Sequence, residues 1–199
     1  MNYRLVASVI VSCFAMSLSL YAQNVINRIG VSGPLVFNKS TFNLAWSDKP
    51  DDTYFVQEYL PKGEKPEHFN QMVTVNVFVK DVPVADAVQQ KVKWLTERKK
   101  TDEVCNFQVT NNPDETEFMV DFLVGESKGD DYTTVEFNIY HYKKVDVGGG
   151  KKGLVIYVYS KRSYGEEITN FLENLGVMRN DLLNAMIASE KPKISLSDK

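Results

Sequence analysis

The stretch Val-Thr-Val-Asn-Val-Phe-Val, residues 73–79, places a valine at every second position. Because successive side chains of a β-strand point to opposite faces, this spacing predicts a strand with one aliphatic face. The β-branched side chains also fit the pleated surface of a sheet. Similar alternation recurs downstream in residues 105–109, 118–124, 135–139 and 154–158. The chain is therefore predicted to fold around a β-sheet.

The links between the last four of these strands are short and rich in turn-forming residues, at 111–114, 128–131 and 148–153. A parallel crossover needs about a dozen residues or more, so these strands are predicted to form an antiparallel meander. Upstream, residues 53–60 predict another strand. Residues 34–46 predict a hairpin that turns at residues 38–40.

Two segments show the three- and four-residue spacing of amphipathic helices. The first covers residues 83–100, with Pro83 at its first helical position and Lys91 on its polar face. The second covers residues 164–188 and opens with a capping box at residues 163–166.

We therefore predict an α+β fold: an antiparallel β-sheet of about six or more strands, ending in a four-stranded meander, with two helices packed on one face. Residues 23–190 are predicted to form a single domain, and residues 191–199 a flexible polar tail. The residues expected to be mutually buried are Val75, Val77, Phe107, Val120, Phe137, Ile156, Val88, Phe171 and Leu175.

The first 22 residues have the layout of a secretory signal peptide. Arg4 supplies a positive start, residues 5–20 are almost all apolar or small, and Ala22 offers a cleavage site. The apolar run is shorter than the roughly 20 residues of a transmembrane helix. We expect cleavage near Ala22, no transmembrane segment in the mature chain, and a periplasmic or secreted protein. The alternatives are a lipid anchor at Cys13, because residues 10–13 resemble a lipobox, and a leader that stays uncleaved as an anchor.

Charge and composition argue against several classes of function. A net charge of −3 with both signs interspersed argues against a nucleic-acid partner. Cys105 is the one cysteine after the leader, so an intramolecular disulfide is excluded in the mature chain. His68 and His141 lack a histidine or cysteine neighbour at metal-binding spacing. We predict no metal site and no cofactor.

No residue pattern identifies a catalytic centre, and we therefore lean against an enzyme. The only candidate residues for a hydrolase-type site are Glu58, Asp121, Glu136 and His141. Asp121 lies on an otherwise apolar face of its predicted strand. We expect a structural ion pair for it, with Arg162 or Lys161 as the partner.

Tyrosines recur at a spacing of two on neighbouring predicted strands, and Tyr59 extends the set from upstream. We predict that they share the sheet face that the helices leave open. Either residues 24–50 cover this face, or it is an exposed docking surface, since tyrosine combines a large rigid ring with a hydroxyl. In the second case the binding residues are Tyr140, Tyr142, Tyr157, Tyr159 and Tyr59.

The segment Tyr-Leu-Pro-Lys-Gly-Glu at 59–64, followed by Phe69 and Met72, resembles a pattern in small exported bacterial proteins of unassigned function. Those proteins share a strand that ends in Tyr-x-Pro-x-Gly-Glu or Gln, then an aromatic residue and a methionine before the next strand. The leader is similar to those of Bacteroidetes-type bacteria. The resemblance covers most of the chain after residue 22 and implies a secreted or periplasmic protein, with no catalytic residues to carry over.

The preferred hypothesis is an exported, non-enzymatic binding or accessory module of the bacterial envelope. Its partner is predicted to be an envelope protein or ligand, and the protein itself a monomer or weak homodimer. The alternatives are a hydrolase-type enzyme and a structural envelope component.

Overall fold

The protein is seen in a computed structural model, which describes residues 25–129 and 131–196. The predicted leader, with Cys13 and Ala22, lies outside these residues. In chain order the elements are β1 (Leu35–Phe37), β2 (Ser40–Asp51), β3 (Tyr54–Leu60), β4 (Gln71–Phe78), α1 (Val84–Arg98), β5 (Asn106–Asn111), β6 (Glu117–Lys128), β7 (Asp131–Asp146), β8 (Lys152–Tyr164) and α2 (Glu167–Ala188).

The strands form one curled, half-barrel antiparallel sheet in the order β1-β2-β3-β4-β8-β7-β6-β5. It consists of two meanders, β1–β4 and β5–β8, which are joined where β4 pairs with β8. The predicted C-terminal meander is therefore confirmed. Helix α1 follows β4 and carries the chain to β5 at the far edge. With eight strands and two helices the fold is mostly β, so the predicted α+β description holds only in part.

The hairpin predicted within residues 34–46 is also confirmed. Strands β1 and β2 pair directly, with Phe37 opposite Ser40. The turn residues Asn38 and Lys39 have positive φ angles of 43° and 66°. Two consecutive turn residues with positive φ match the right-handed twist of the strands that a tight hairpin joins. Asparagine adopts a positive φ more readily than most residues.

The two helices lie on opposite faces of the sheet, so the prediction that they share one face is wrong. Helix α2 packs with Phe137 and Ile139 of β7, whereas α1 packs with Tyr142 of the same strand. Odd- and even-numbered residues of a strand point to opposite faces. The predicted core is accordingly divided. The α2 side holds Val75, Val77, Phe137, Phe171 and Leu175, and the α1 side holds Val88, Val120, Phe107 and Ile156.

The helix starts differ slightly from the prediction. Pro83 precedes α1 as its N-cap instead of opening the helix, and α2 is preceded by Glu166. Neither N-cap makes a side-chain hydrogen bond, and Ser163 belongs to β8, so the predicted capping box does not form. Of the described helices, none is long and apolar enough to cross a membrane.

Both ends of the described chain pack on the α2 side. Ile29 is fully buried there, and Ile194 is 3 % exposed. The backbone N–H of Ser195 donates to the carbonyl of Ile29 at 3.0 Å, and that of Leu196 donates to Val147 at 3.0 Å. Residues 191–196 therefore do not form the flexible polar tail predicted from the sequence.

Candidate functional site

The tyrosines predicted to form a docking surface do not share a face. In the β7–β8 register, Tyr159 is opposite Ile139 and Tyr157 is opposite His141, while Tyr142 is opposite Ile156. Tyr157 and Tyr159 therefore point to the α2 side, and Tyr140 and Tyr142 to the α1 side. The prediction of one continuous tyrosine surface is wrong.

Four of these five tyrosines are also buried. Tyr59, Tyr142, Tyr157 and Tyr159 are between 0 % and 4 % exposed. Residues 24–50 cover part of the set, as the first alternative expected: the ring of Phe37 lies 4.4 Å from that of Tyr159. The exposure that a docking surface needs is thus missing in these four, and a binding role for them stays a prediction.

The tyrosine hydroxyls on the α2 side hold chain segments against the sheet. Tyr59 donates to the carbonyl of Val31 at 2.7 Å, and Tyr157 donates to Pro192 at 3.2 Å. Burial raises the pKa of Tyr59 to about 12 and that of Tyr157 to about 12. Both hydroxyls therefore remain protonated donors at any physiological pH.

The four residues offered as raw material for an enzyme are divided between the two faces. Asp121 and His141 point to the α2 side, and Glu58 and Glu136 to the α1 side, as the strand registers require. The sheet itself separates the two pairs, so they do not converge on one catalytic centre.

Asp121 forms the structural ion pair that the sequence predicts, but with a different partner. Arg179 of α2 donates to both carboxylate oxygens, at 2.6 and 2.8 Å, and also to Gln108 at 2.7 Å. The partner predicted first, Arg162, lies on the opposite face and pairs with Glu136. An arginine on a later helix could not be assigned from strand spacing alone.

His141 has one strong partner and one orphaned nitrogen. Its Nε2 lies 2.8 Å from Oε2 of Glu117, whose other oxygen accepts from Lys143 at 2.8 Å. Burial and the charge of Lys191 lower the pKa of His141, although Glu117 opposes this shift. The neutral ring then donates from Nε2, and its buried Nδ1 is left without a donor. Among the described residues, no group of three potential metal ligands forms at His141 or elsewhere.

Two concave regions lie near this histidine cluster. One, of about 50 Å³, lies on the α2 side between β1 and residues 186–192. The other is an open groove of about 480 Å³ between the start of α1 and residues 115–117. The first is only large enough for a water molecule or two, and the second is an open surface groove in which Glu117 is already committed to Lys143 and His141.

The α1 side carries a group of polar residues, three buried and two half-buried, which we call the Lys91 patch. The buried members are Lys91, Asn138 and Ser160, and the half-buried ones are Glu136 and Arg162. Lys91 was expected on the polar face of its helix, and that prediction is wrong, since it is only 8 % exposed. Its ammonium lies over three aromatic rings, 4.7 Å from Trp94, 5.3 Å from Phe122 and 4.5 Å from Tyr140. Burial lowers the pKa of Lys91 to about 8, although the charge of Glu136 opposes the shift.

Strand register brings the other members of the patch together. Glu136 is directly opposite Arg162, and Asn138 is directly opposite Ser160. Glu136 and Arg162 form an ion pair. The Ser160 hydroxyl donates to Oδ1 of Asn138 at 2.6 Å, and the buried Nδ2 of Asn138 has no acceptor.

The predicted strand-end motif supports the rim of this patch. Glu64 accepts from the backbone N–H groups of Asn70, at 2.7 Å, and Gln71, at 3.1 Å, which fixes the turn. The turn buries Phe69, and the Arg162 guanidinium lies 4.0 Å above the Phe69 ring. A segment picked out by resemblance therefore positions one cation of the patch.

Glu58 lies at the margin of the patch, one strand beyond β4. Burial raises its pKa to about 7; the nearby charges of Glu136 and Glu67 add to the shift, and Arg162 opposes it. This carboxyl therefore titrates near neutral pH. It belongs to the same face as Glu136 but not to the ion pair.

Comparison with known proteins supplies a family but no activity. A family model matches residues 29–190, from the segment before β1 to the residues just after α2, and that family is an uncharacterised bacterial one. No curated protein and no solved structure matches the chain.

Proposed function

The chain belongs to this uncharacterised bacterial family, and we propose that it is an exported, non-enzymatic binding module of the bacterial envelope. The Lys91 patch is its binding site. The export part of the proposal rests on the leader in residues 1–22, and the binding part on the patch.

One observation carries the binding proposal: within the described residues, Asn138 Nδ2 is buried without an acceptor, and the ammonium of the buried Lys91 contacts only aromatic rings. An unpaired buried polar group costs about 1–3 kcal/mol, and an unpaired buried charge costs more. Lys91 is 8 % exposed and Asn138 is 1 % exposed. A ligand that completes their hydrogen bonds would recover this free energy, which supports binding at this place.

The patch is also reachable from solvent. The side chain of Arg162 is 30 % exposed and that of Glu136 is 19 % exposed. These two residues form a rim beside the more deeply buried Lys91 and Asn138. Aromatic side chains with a few placed polar groups are the usual lining of a small-ligand site.

The division of the acidic residues and the histidine between two faces favours binding over hydrolysis. A hydrolase needs an acid or base and a nucleophile within hydrogen-bond reach of one substrate atom. Asp121 is committed to Arg179, and His141 to Glu117, on the side away from the patch. The binding module therefore fits the arrangement better.

The binding proposal is tested by screening a small-molecule library against the purified protein with ligand-observed NMR. Hits are then repeated with Lys91→Met and with Lys93→Met, which changes an exposed lysine on the same helix. Compounds that bind the wild type and Lys93→Met but not Lys91→Met support the proposal. If every hit survives Lys91→Met, the patch is not the binding site.

The export proposal has a separate test in the source cells. The protein is expected in the periplasm or medium, with a mass that corresponds to loss of residues 1–22. Full-length protein in the cytosol would contradict the export proposal. A lipid attached to Cys13 would show that the protein is anchored to a membrane rather than released.

A further inference from the structure

Lys91 is a buried cation without a bonded counter-charge. Within the described residues its Nζ makes no hydrogen bond and no ion pair; its contacts are the three rings of Trp94, Phe122 and Tyr140. Cation–π contacts contribute about 0.5–2 kcal/mol each, which offsets only part of the cost of removing an ammonium from water.

The one carboxylate that acts on Lys91 is already committed. Glu136 attracts Lys91 electrostatically but forms its ion pair with Arg162, directly opposite on β8. The charges of Glu136 and Arg162 cancel each other to a first approximation. Glu58, at the margin of the patch, is mostly protonated below about pH 7. Under these conditions Lys91 leaves the patch with one uncompensated positive charge.

A second donor without an acceptor lies on the same face of the sheet, next to two of the rings that Lys91 contacts. Asn138 is directly opposite Phe122 and two residues before Tyr140, so it shares a face with two of the rings that surround Lys91. Its Oδ1 accepts from Ser160, and its Nδ2 is buried without a partner. The patch thus offers two donors and a positive charge, while its own acceptors, Glu136 and Asn138 Oδ1, are bonded to Arg162 and Ser160.

Building on the function proposed above, we infer that the Lys91 patch binds an oxyanion group, the carboxylate or phosphate of a small ligand. Its oxygens accept hydrogen bonds from Lys91 Nζ and Asn138 Nδ2, and its charge balances that of Lys91. A neutral ligand would accept the two hydrogen bonds but would not balance the positive charge of Lys91. An oxyanion both accepts the hydrogen bonds and balances the charge. The three rings exclude water around the pair and strengthen the attraction.

The test titrates the purified protein with sodium acetate and, separately, with sodium phosphate, at ionic strength held constant with sodium chloride. The readouts are the melting temperature and the NMR shift of the Lys91 side chain. A bound ligand raises the melting temperature progressively once its concentration passes Kd. The inference expects a saturable response to at least one of the two anions in the wild type and in Lys93→Met, and none in Lys91→Met. The stronger of the two responses identifies the oxyanion class.

A second variant tests the geometry independently of the lysine. Asn138→Asp places a carboxylate beside Lys91, and this built-in counter-charge is expected to raise the pKa of Lys91 and abolish the response to added oxyanions. Equal responses in the wild type, Lys91→Met and Asn138→Asp mean only a general salt effect and overturn the inference.

The library screen separates the two levels of the proposal. If neutral compounds bind in a manner that depends on Lys91 while acetate and phosphate do not, the binding module stands and the oxyanion inference fails. If nothing binds in a manner that depends on Lys91, both fail.

Discussion

The two faces of the central strands each bury a charged side chain, Asp121 on the α2 side and Lys91 on the α1 side, but only Asp121 has a bonded counter-charge. On the α2 side, Asp121 receives two hydrogen bonds from Arg179, and Gln57 is bonded at both ends of its amide. On the α1 side, within the part of the chain that the structure describes, Asn138 Nδ2 has no acceptor and the Lys91 ammonium contacts only aromatic rings. Burial alone therefore does not reveal the role of a polar group; its pairing does.

Within the described residues the α2 side also has two unsatisfied atoms. Arg28 Nε, in the segment before β1, is buried without a hydrogen-bond partner, and so is His141 Nδ1. Its other nitrogen is bonded to Glu117, and the ring lies 6.4 Å from that of Tyr157. The neutral nitrogen is an acceptor without charge, so it costs less than the buried ammonium of Lys91. The contrast therefore concerns the buried charges of Asp121 and Lys91, not every polar group of the two faces.

The largest expected effect comes from breaking the pair on the α2 side. Arg179→Met leaves the Asp121 carboxylate, 5 % exposed, without its counter-charge. We expect the free energy of unfolding to fall by about 3–5 kcal/mol in urea titrations. The double variant Asp121→Leu/Arg179→Met should recover most of this loss. If the single variant is as stable as the wild type, the pair does not stabilise the α2 side.

A smaller loss is expected from Gln57→Leu. The fully buried Gln57 accepts from the N–H groups of Arg28 at 2.5 Å and Ile29 at 3.2 Å, and it donates to the carbonyl of Val31 at 3.0 Å. Leucine leaves the two N–H groups unsatisfied, which costs about 2–4 kcal/mol. Hydrogen exchange should also speed up in residues 28–31.

The control for this variant is Gln90→Leu, since Gln90 is exposed on α1. It should change the free energy of unfolding by less than about 0.5 kcal/mol. Equal losses for the two glutamine variants would contradict a special role for the buried amide.

The smallest effect, and the one of opposite sign, is expected on the α1 side. Lys91→Met removes a desolvated ammonium and should raise the free energy of unfolding by about 2 kcal/mol at pH 7 in a chloride buffer. The pKa of Lys91 is about 8 in the folded protein and ordinarily 10.5. Between these values the unfolded chain binds more protons, so the wild type gains stability as pH rises.

The stability gap between Lys91→Met and the wild type should therefore be constant below about pH 8 and close between about pH 8 and 10.5. Subtracting the two curves removes the contribution of the tyrosines, which titrate in both proteins. A gap that stays constant up to pH 10.5 would show that Lys91 keeps its ordinary pKa.

The positions of strands and helices could be predicted from the sequence because periodicity is a local property. The layering could not, and the reason lies in Leu-Val-Ile-Tyr-Val-Tyr at residues 154–159, which is apolar at every position. Such a run buries both faces of a strand and requires cover on both sides. An interpretation based on a period of two assigned only one face of this strand to the core and missed the second apolar face, which α1 covers.

The tyrosines show a second limit of sequence reasoning. A spacing of two places Tyr157 and Tyr159 on the same face of their strand, and Tyr140 and Tyr142 on the same face of theirs. Which pairs coincide depends on the register between strands, and here Tyr159 is opposite Ile139. A one-residue shift in register exchanges the faces, and nothing in either strand alone fixes it.

Lys91, the central residue of the proposed binding site, is a buried residue that the sequence could have identified. With Val84, Val88 and Leu95 it falls at the spacing of the apolar stripe of α1, and all four are buried. A charged residue on an apolar stripe was read as part of the polar face because lysines are mostly exposed. Asn138 carried no such signal, because the hydrogen bonds available to its amide depend on which residue of β8 lies opposite it.

The pairing of β4 with β8 also dictates when the sheet can be completed. Each meander is built from neighbours in sequence and can form early, whereas β4 must wait for a strand that lies a whole helix and three strands later in the chain. Contacts so distant in sequence close slowly. Until β8 has been synthesised, the open edge of β4 has no strand to pair with, and the two halves of the domain cannot fold as one cooperative unit.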